Sequence, residues 1–307
     1  MPAREFSLSP GHTPVLLAEV LQWLQPQPGQ TIVDGTLGQG GHTRALADCV
    51  GPDGQVLSFD LDPAALTAAE AVLKGLPIKL VTANFCELGE VLAQLSIPAV
   101  DGLLLDLGLS SNQLADASRG FSFDADGPLD LRFNPAAHPS AAELVNRLGA
   151  EELANLIFRY GEERYSRRIA RRIVERRQQN PLATAQELAE LVRACVPRSP
   201  RERTDPATRT FQALRIAVND ELGSLERILR DAPELLRPGG RMAVISFHSL
   251  EDRLVKRAFA DDPRFENLTR KPLVAAEAEV ACNPRARSAK LRVATRRVTP
   301  LPNYPLR

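Results

Sequence analysis

The sequence predicts an α/β fold: a Rossmann-like, doubly wound sheet of mainly parallel strands with an inserted helical domain. Three observations carry this. A glycine-rich loop, Gly35-Thr36-Leu37-Gly38-Gln39-Gly40-Gly41, joins an apolar strand to a helix behind an acid, Asp34. Strand and helix patterns alternate up to about residue 110, as they do when helices cover both faces of a sheet. The alternation then gives way to a mostly helical stretch, Gln113 to about Thr210, and resumes at Arg241.

Thr31-Ile32-Val33 reads as the first strand. The glycines behind it let the backbone turn tightly and approach a ligand, and His42-Thr43-Arg44-Ala45-Leu46-Ala47 opens the next helix. A dinucleotide fingerprint prefers Gly-x-Gly-x-x-Gly, whereas the order here is Gly35-x-x-Gly38-x-Gly40-Gly41. Gln55-Val56-Leu57-Ser58-Phe59 is the second strand and ends in Asp60-Leu61-Asp62, where a carboxylate can accept both hydroxyls of a ribose. The third strand, Ile78-Lys79-Leu80-Val81-Thr82, runs into Ala83-Asn84-Phe85; the Phe85 ring suits either an adenine or a core anchor. The fourth, Gly102-Leu103-Leu104-Leu105, ends in Asp106. Ligands of doubly wound sheets sit beyond the carboxyl ends of the strands, so Asp34, Asp60, Phe85 and Asp106 are expected around one crevice.

In the helical stretch, Ser140-Ala141-Ala142-Glu143 and Thr184-Ala185-Gln186-Glu187 have capping-box spacing. Glu163 to Gln179 reads as a helix with Ile169, Ile173 and Val174 on one face. Residues 197–206, rich in proline and charge, read as an exposed connector. Phe211, Leu214, Val218, Leu222, Leu225 and Leu229 then repeat at helical spacing. Arg237-Pro238-Gly239-Gly240 turns the chain into a strand from Arg241 to Phe247, and Leu291-Arg292-Val293-Ala294-Thr295 is expected as a last, antiparallel strand. The expected organisation is a discontinuous sheet domain, 1–112 with 211–307, around an inserted helical substrate-recognition domain, 113–210.

Lysine plus arginine balance aspartate plus glutamate at 38 each, which argues against indiscriminate nucleic-acid binding and leaves local basic patches as candidates. Arg164, Arg167, Arg168, Arg171, Arg172, Arg176 and Arg177 form one patch. Arg285, Arg287, Lys290, Arg292, Arg296 and Arg297 form another, in a tail without acids. Guanidinium forks match phosphate oxygens; the tail is the stronger candidate, because nothing near it in sequence neutralises it. Cys49, Cys86, Cys195 and Cys282 are far apart, which fits a reducing, cytoplasmic compartment and no metal site. No leader and no apolar run near ~20 residues is found, so no membrane association is expected.

Taken together, His12-Thr13-Pro14-Val15-Leu16-Leu17, Asp34-Gly35-Thr36 with Gly40-Gly41-His42, Asp106-Leu107-Gly108-Leu109-Ser110-Ser111, Arg119-Gly120-Phe121-Ser122-Phe123, Ala207-Thr208-Arg209-Thr210-Phe211-Gln212-Ala213, Ser246-Phe247-His248-Ser249-Leu250-Glu251-Asp252-Arg253 and Asn283-Pro284-Arg285-Ala286-Arg287-Ser288 resemble the bacterial 16S ribosomal RNA cytosine-N4 methyltransferase family, also called MraW. The resemblance runs nearly end to end. It implies a class I methyltransferase sheet, S-adenosyl-L-methionine as cofactor, and 16S rRNA as substrate, within a small ribosomal subunit particle. It also implies Gly40, Gly41, His42, Asp60, Phe85, Asp106 and Gln113 as cofactor contacts, with bulky residues at 40 or 41 intruding on ligand space. Monomer and homodimer both remain open.

The chemistry so implied is methyl transfer from a sulfonium to an exocyclic amine, in which alignment and water exclusion are the protein's main tasks. Asp106 stands where many amino-methyltransferases begin an Asp/Asn-Pro-Pro-aromatic motif, and it is the candidate catalytic residue. Leu107-Gly108-Leu109 replaces the prolines and the aromatic, so another group must stack the base. Ser246, His248, Ser249, Arg285 and Arg287 are substrate candidates; Phe121 and Phe123 suit either base stacking or a small core. Two other classes compete. An NAD-dependent oxidoreductase is disfavoured by the glycine order, and a non-catalytic RNA-binding module by the full set of pocket residues.

Overall fold

The computed structural model describes residues 14–122, 127–197 and 204–298. His12, Thr13, Phe123 and residues 198–203 of the expected connector lie outside them. The chain divides into two compact units, Met1–Leu109 with Gly223–Arg307, and Ser110–Leu222.

The first unit begins α1 (Leu17–Leu24), β1 (Thr31–Asp34), α2 (Gly41–Val50), β2 (Gln55–Asp60), α3 (Pro63–Val72), β3 (Ile78–Thr82), α4 (Leu88–Gln94) and β4 (Val100–Asp106). The second contains α5 (Ser111–Ala115), α6 (Ala141–Arg147), α7 (Ala150–Gly161), α8 (Ser166–Arg177), α9 (Ala185–Cys195) and α10 (Thr208–Asn219). From within α11 (Glu221–Leu235) the chain belongs to the first unit again, adding β5 (Leu236–Ser246), α12 (Ser249–Asp261), β6 (Phe265–Asn267), α13 (Glu277–Cys282) and β7 (Lys290–Arg296).

The described strands form one sheet in the order β3-β2-β1-β4-β5-β7-β6. Strands β1 to β5 run parallel, and β7 is antiparallel to β5 and β6. Side chains alternate between faces, and the core divides accordingly. Val33, Leu57, Leu103, Leu105, Met242 and Val244 join the core on the face covered by α4, α11 and α12. Ile32, Val56, Leu104, Ala243 and Ile245 join the one covered by α1 and α2. Carrying the second series on to the strand ends gives Asp34, Asp60, Asp106 and, just past β5, Phe247. Their side chains therefore share one face at the carboxyl end of the sheet.

In the second unit the helices pack through Leu153, Ile157, Ile169, Ile173, Leu188, Val192, Phe211 and Leu214, all buried. The expected capping boxes are formed: Ser140 Oγ accepts from the Glu143 amide, Thr184 Oγ1 accepts from the Glu187 amide, and each carboxylate accepts from the amide of its cap residue. Gly161 ends α7 where an added Cβ would sit 2.4 Å from the Arg209 carbonyl oxygen, so α7 and α10 meet backbone to backbone.

Several elements differ from the sequence expectation. The Phe211–Leu229 repeat is two helices, broken at Asp220, which takes the left-handed conformation (φ 48°) that aspartate tolerates better than most residues. A boundary at 210/211 falls inside α10. The turn at Arg237–Gly240 is a bulge within β5: Leu236 already pairs with Val100, and Arg241 with Gly102. β6, three residues long, is too short to show a period.

Candidate active site

The glycine loop is fixed between two strands. The Gly35 amide donates to the Leu104 carbonyl of β4, and the Leu37 amide to the Phe59 carbonyl of β2. An added Cβ on Gly35 would meet Leu105 Cδ2 at 2.4 Å and Phe85 Cβ at 2.9 Å. Asp34 is fully buried and turned back onto the loop: it accepts from the Thr36 amide at 3.1 Å and from Thr43 Oγ1 at 2.7 Å. It orients the loop and does not line a crevice, contrary to the sequence expectation. Thr36 Oγ1 in turn accepts the Asp106 amide at 2.6 Å, which ties the loop to the end of β4.

The paired glycines play a different part from the one expected. Gly40 has φ 76°, and a Cβ there would meet the Leu73 side chain at 3.1 Å; a Cβ on Gly41 would sit 2.4 Å from Pro14 Cγ. Both directions point into protein. Substitution would act through the loop's own packing, and only the backbone of these residues is left to face a ligand.

Asp60 Oδ2 accepts from the Gly38 amide at 3.0 Å and Oδ1 from the Asp62 amide at 2.9 Å. Asp62 is committed to the N-cap of α3, accepting from the Ala64 amide. Phe85 starts a short turn capped by Asn84, whose side-chain amide donates to Ser224 Oγ at 3.1 Å. The ring is half-buried against the α4 face of the core. Gln113 lies in the second unit, where its side-chain oxygen completes the capping box of α5 by accepting the Ser110 amide.

Asp106 is the centre of charge. His42 Nε2 lies 3.6 Å from its Oδ2, and its Oδ1 has no hydrogen-bond partner among the described residues. Burial, reinforced by the negative charge of Asp34, pushes its pKa up to about 7; Arg285, half-buried nearby, acts in the opposite direction. Burial likewise raises Asp34 to about 7 and Asp60 to about 6. Between pH 4 and 7 the folded chain thus holds more protons on these acids than the unfolded chain, so their contribution to stability falls as pH rises. We expect the ligand-free chain to unfold at higher denaturant concentration at pH 5 than at pH 8. The difference should be on the order of 2 kcal/mol, after discounting for solvent around Asp60 and Asp106. Equal midpoints would mean these acids are not desolvated.

The substrate candidates separate. Ser246 is buried, and its hydroxyl donates to the Lys290 carbonyl at 3.4 Å. His248 is the N-cap of α12: Nδ1 accepts from the Glu251 amide at 3.4 Å, and Nε2 lies 3.1 Å from Glu251 Oε1. Glu251 is itself buried, and its Oε2 accepts the amides of Phe247 and His248. Ser249 is exposed at the start of that helix. Arg287 is exposed, and Arg285 turns toward Asp106. Phe121 is buried and stacked on Phe133 with centroids 5.8 Å apart, which makes it a core anchor of the second unit.

The acid-free tail does not survive as a basic patch. Lys290 and Arg292 pair with Asp252 at 3.5 and 2.7 Å, Arg297 pairs with Glu266 at 3.8 Å, and Arg296 donates to the Leu236 carbonyl. In α8, Arg177 donates to the Val145 and Leu148 carbonyls and Arg176 to that of Asn180. Arg164, Arg167, Arg168, Arg171 and Arg172 stay exposed. The insertion helix is therefore the more open cationic face, the reverse of the sequence ranking. Among the described residues no helix is long and apolar enough to cross a membrane.

A sequence profile described as the MraW methylase family matches residues 9–297. The chain is similar to the ribosomal RNA small subunit methyltransferase H of Geobacter sulfurreducens, 52% identical over 92% of this chain and 98% of that protein. Its namesake from Acidobacterium capsulatum is 50% identical over 93% and 98%. Among solved structures, an rRNA methylase from Streptococcus thermophilus is similar at TM-score 0.41 and 13% identity, covering 92% of each chain. A profile match over nearly the whole length, together with half-identical relatives of the same span, settles the family: this chain belongs to the MraW methylase family.

Proposed function

We propose that this chain transfers the methyl group of S-adenosyl-L-methionine to N4 of a cytidine in the RNA of the small ribosomal subunit. The observation that carries the reading is Asp106: a desolvated carboxylate with an unpartnered oxygen at a strand end, tied to the glycine loop through Thr36. The residues suit a nucleoside carrying a cationic sulfur. A dinucleotide would bring a pyrophosphate toward the start of α2, where the buried Asp34 and the partly buried Asp106 would repel it once ionised. That disfavours the oxidoreductase alternative.

When bound, S-adenosyl-L-methionine supplies a methyl group on a positively charged sulfur that departs as a neutral thioether. The chain's residues do the rest. The loop backbone and Asp60 hold the nucleoside, and Phe85 closes one side. The Asp106 carboxylate would accept a hydrogen of the N4 amine, freeing its lone pair from conjugation, and would take the proton the amine gives up. Alignment of this kind is worth about 7 to 11 kcal/mol. The relatives named above carry ribosomal RNA small subunit methyltransferase in their names, and that substrate class is taken over here. The target nucleotide, the assembled particle as substrate and the inserted domain as its recognition element belong to the same proposal.

The test is mass spectrometry of small-subunit RNA from cells with and without this protein, paired with methyl incorporation by the purified chain. Loss of one N4-methylcytidine in the deletion supports the reading, and an unchanged modification profile overturns it. The RNA-holding face is tested separately. Arg171→Gln with Arg172→Gln should leave cofactor affinity unchanged and lower the slope of log affinity against log salt by about 0.7 for each phosphate no longer neutralised. The Arg172–Glu175 pair, exposed at 3.3 Å, offers little to offset this. An unchanged slope would make α8 a solvated face with no part in holding RNA.

A further inference from the structure

We infer that Phe247 is the platform on which the target base stacks, supplied by the end of β5 in place of an aromatic in the loop after Asp106. This rests on the proposed N4 methylation and deepens it. An amine attached to a ring can be presented to a methyl group only if the ring plane is held, and the loop Leu107-Gly108-Leu109 contains no flat side chain. The structure brings one from the neighbouring strand. Asp106 is level with Ile245 in the parallel β4–β5 pairing, and the Leu107 amide donates to the Ile245 carbonyl at 3.0 Å. Phe247, two residues on, thus shares the face of Asp106, with its ring half-exposed beside the core under α1 and α2.

Gly108 explains why the ring can lie there. A Cβ at 108 would be 2.8, 3.1 and 3.2 Å from Phe247 Cε2, Cζ and Cδ2, with no other atom among its nearest neighbours. The backbone at 108 does not have a positive φ, so turn geometry does not demand glycine; room for the ring does. The backbone of Phe247 is held in place as well, since Glu251, buried and fixed by His248, accepts its amide at 2.8 Å. Ring, strand end and clamp lie on the same face of the sheet as the Asp106 side chain.

The experiment uses the full chain, small-subunit particles from cells lacking it, and labelled S-adenosyl-L-methionine. Phe247→Leu should lower kcat/KM for the particle about 5- to 150-fold, the range for removing an aromatic–base stack, while cofactor affinity stays within twofold. Phe247→Tyr should restore activity. Gly108→Ala, which keeps the ring but pushes it aside, should lower the same ratio. A merely structural role predicts instead a lower melting temperature and weaker cofactor binding in Phe247→Leu. That result, or full activity in both Phe247→Leu and Gly108→Ala, overturns the inference. An inactive wild-type chain would overturn the proposed function itself.

Discussion

Asp106→Asn is expected to slow methyl transfer by about 100-fold or more, within the range that a positioned proton acceptor contributes, while cofactor affinity falls by less than tenfold. The asparagine keeps the shape of the side chain and its place beside His42, but it no longer accepts a proton from the amine. The pH profile separates this role from simple binding. The wild-type carboxyl, raised to about 7 chiefly by burial, must be ionised to work, so activity should rise with pH through about 7. In Asp106→Asn the residual activity should lose that limb. Arg285→Gln removes a cation that favours the ionised form, so its limb should move to higher pH. Cofactor affinity falling in step with rate in Asp106→Asn would assign this carboxylate to the methyl donor and leave the amine to another group.

The sheet is legible because its strands are short apolar runs ending in conspicuous residues, and the rule that ligands gather at carboxyl ends turns those endings into a site. Asp60 and Asp106 stand at the ends of β2 and β4, where their strands place them. What stays hidden depends on pairings between distant segments. Asp34 reads as a pocket residue in sequence because nothing there shows that Thr43 faces it from the following helix. The tail reads as uncompensated because Asp252, which neutralises Arg292, lies 40 residues upstream. Gly108 and Phe247 carry no mutual signal in sequence, although their signal in three dimensions is sharp. The break at Asp220 escapes because the apolar period continues across it, and only a backbone dihedral ends the helix.

Asp60→Ala is expected to weaken S-adenosyl-L-methionine binding by roughly 1.5 to 3 kcal/mol, the contribution of hydrogen bonds to a charged group, with little change in affinity for the particle. Two losses combine. The ribose hydroxyls lose an acceptor, and the Gly38 amide, now paired with Oδ2 at 3.0 Å, loses the side-chain partner that ties the glycine loop to the end of β2. Asp60→Asn, which keeps one acceptor oxygen, should fall between wild type and alanine. Because burial raises the carboxyl to about 6, wild-type affinity should also decline as pH drops through that value and the acid takes up its proton, whereas the alanine variant should lose that limb and keep only the one near 7 that Asp34 and Asp106 contribute. Titration calorimetry across pH 5 to 8 reads both effects. If particle binding collapsed and cofactor binding held, Asp60 would belong to the substrate side, and the shared face of Asp60, Asp106 and Phe247 would be divided between two ligands in a different way.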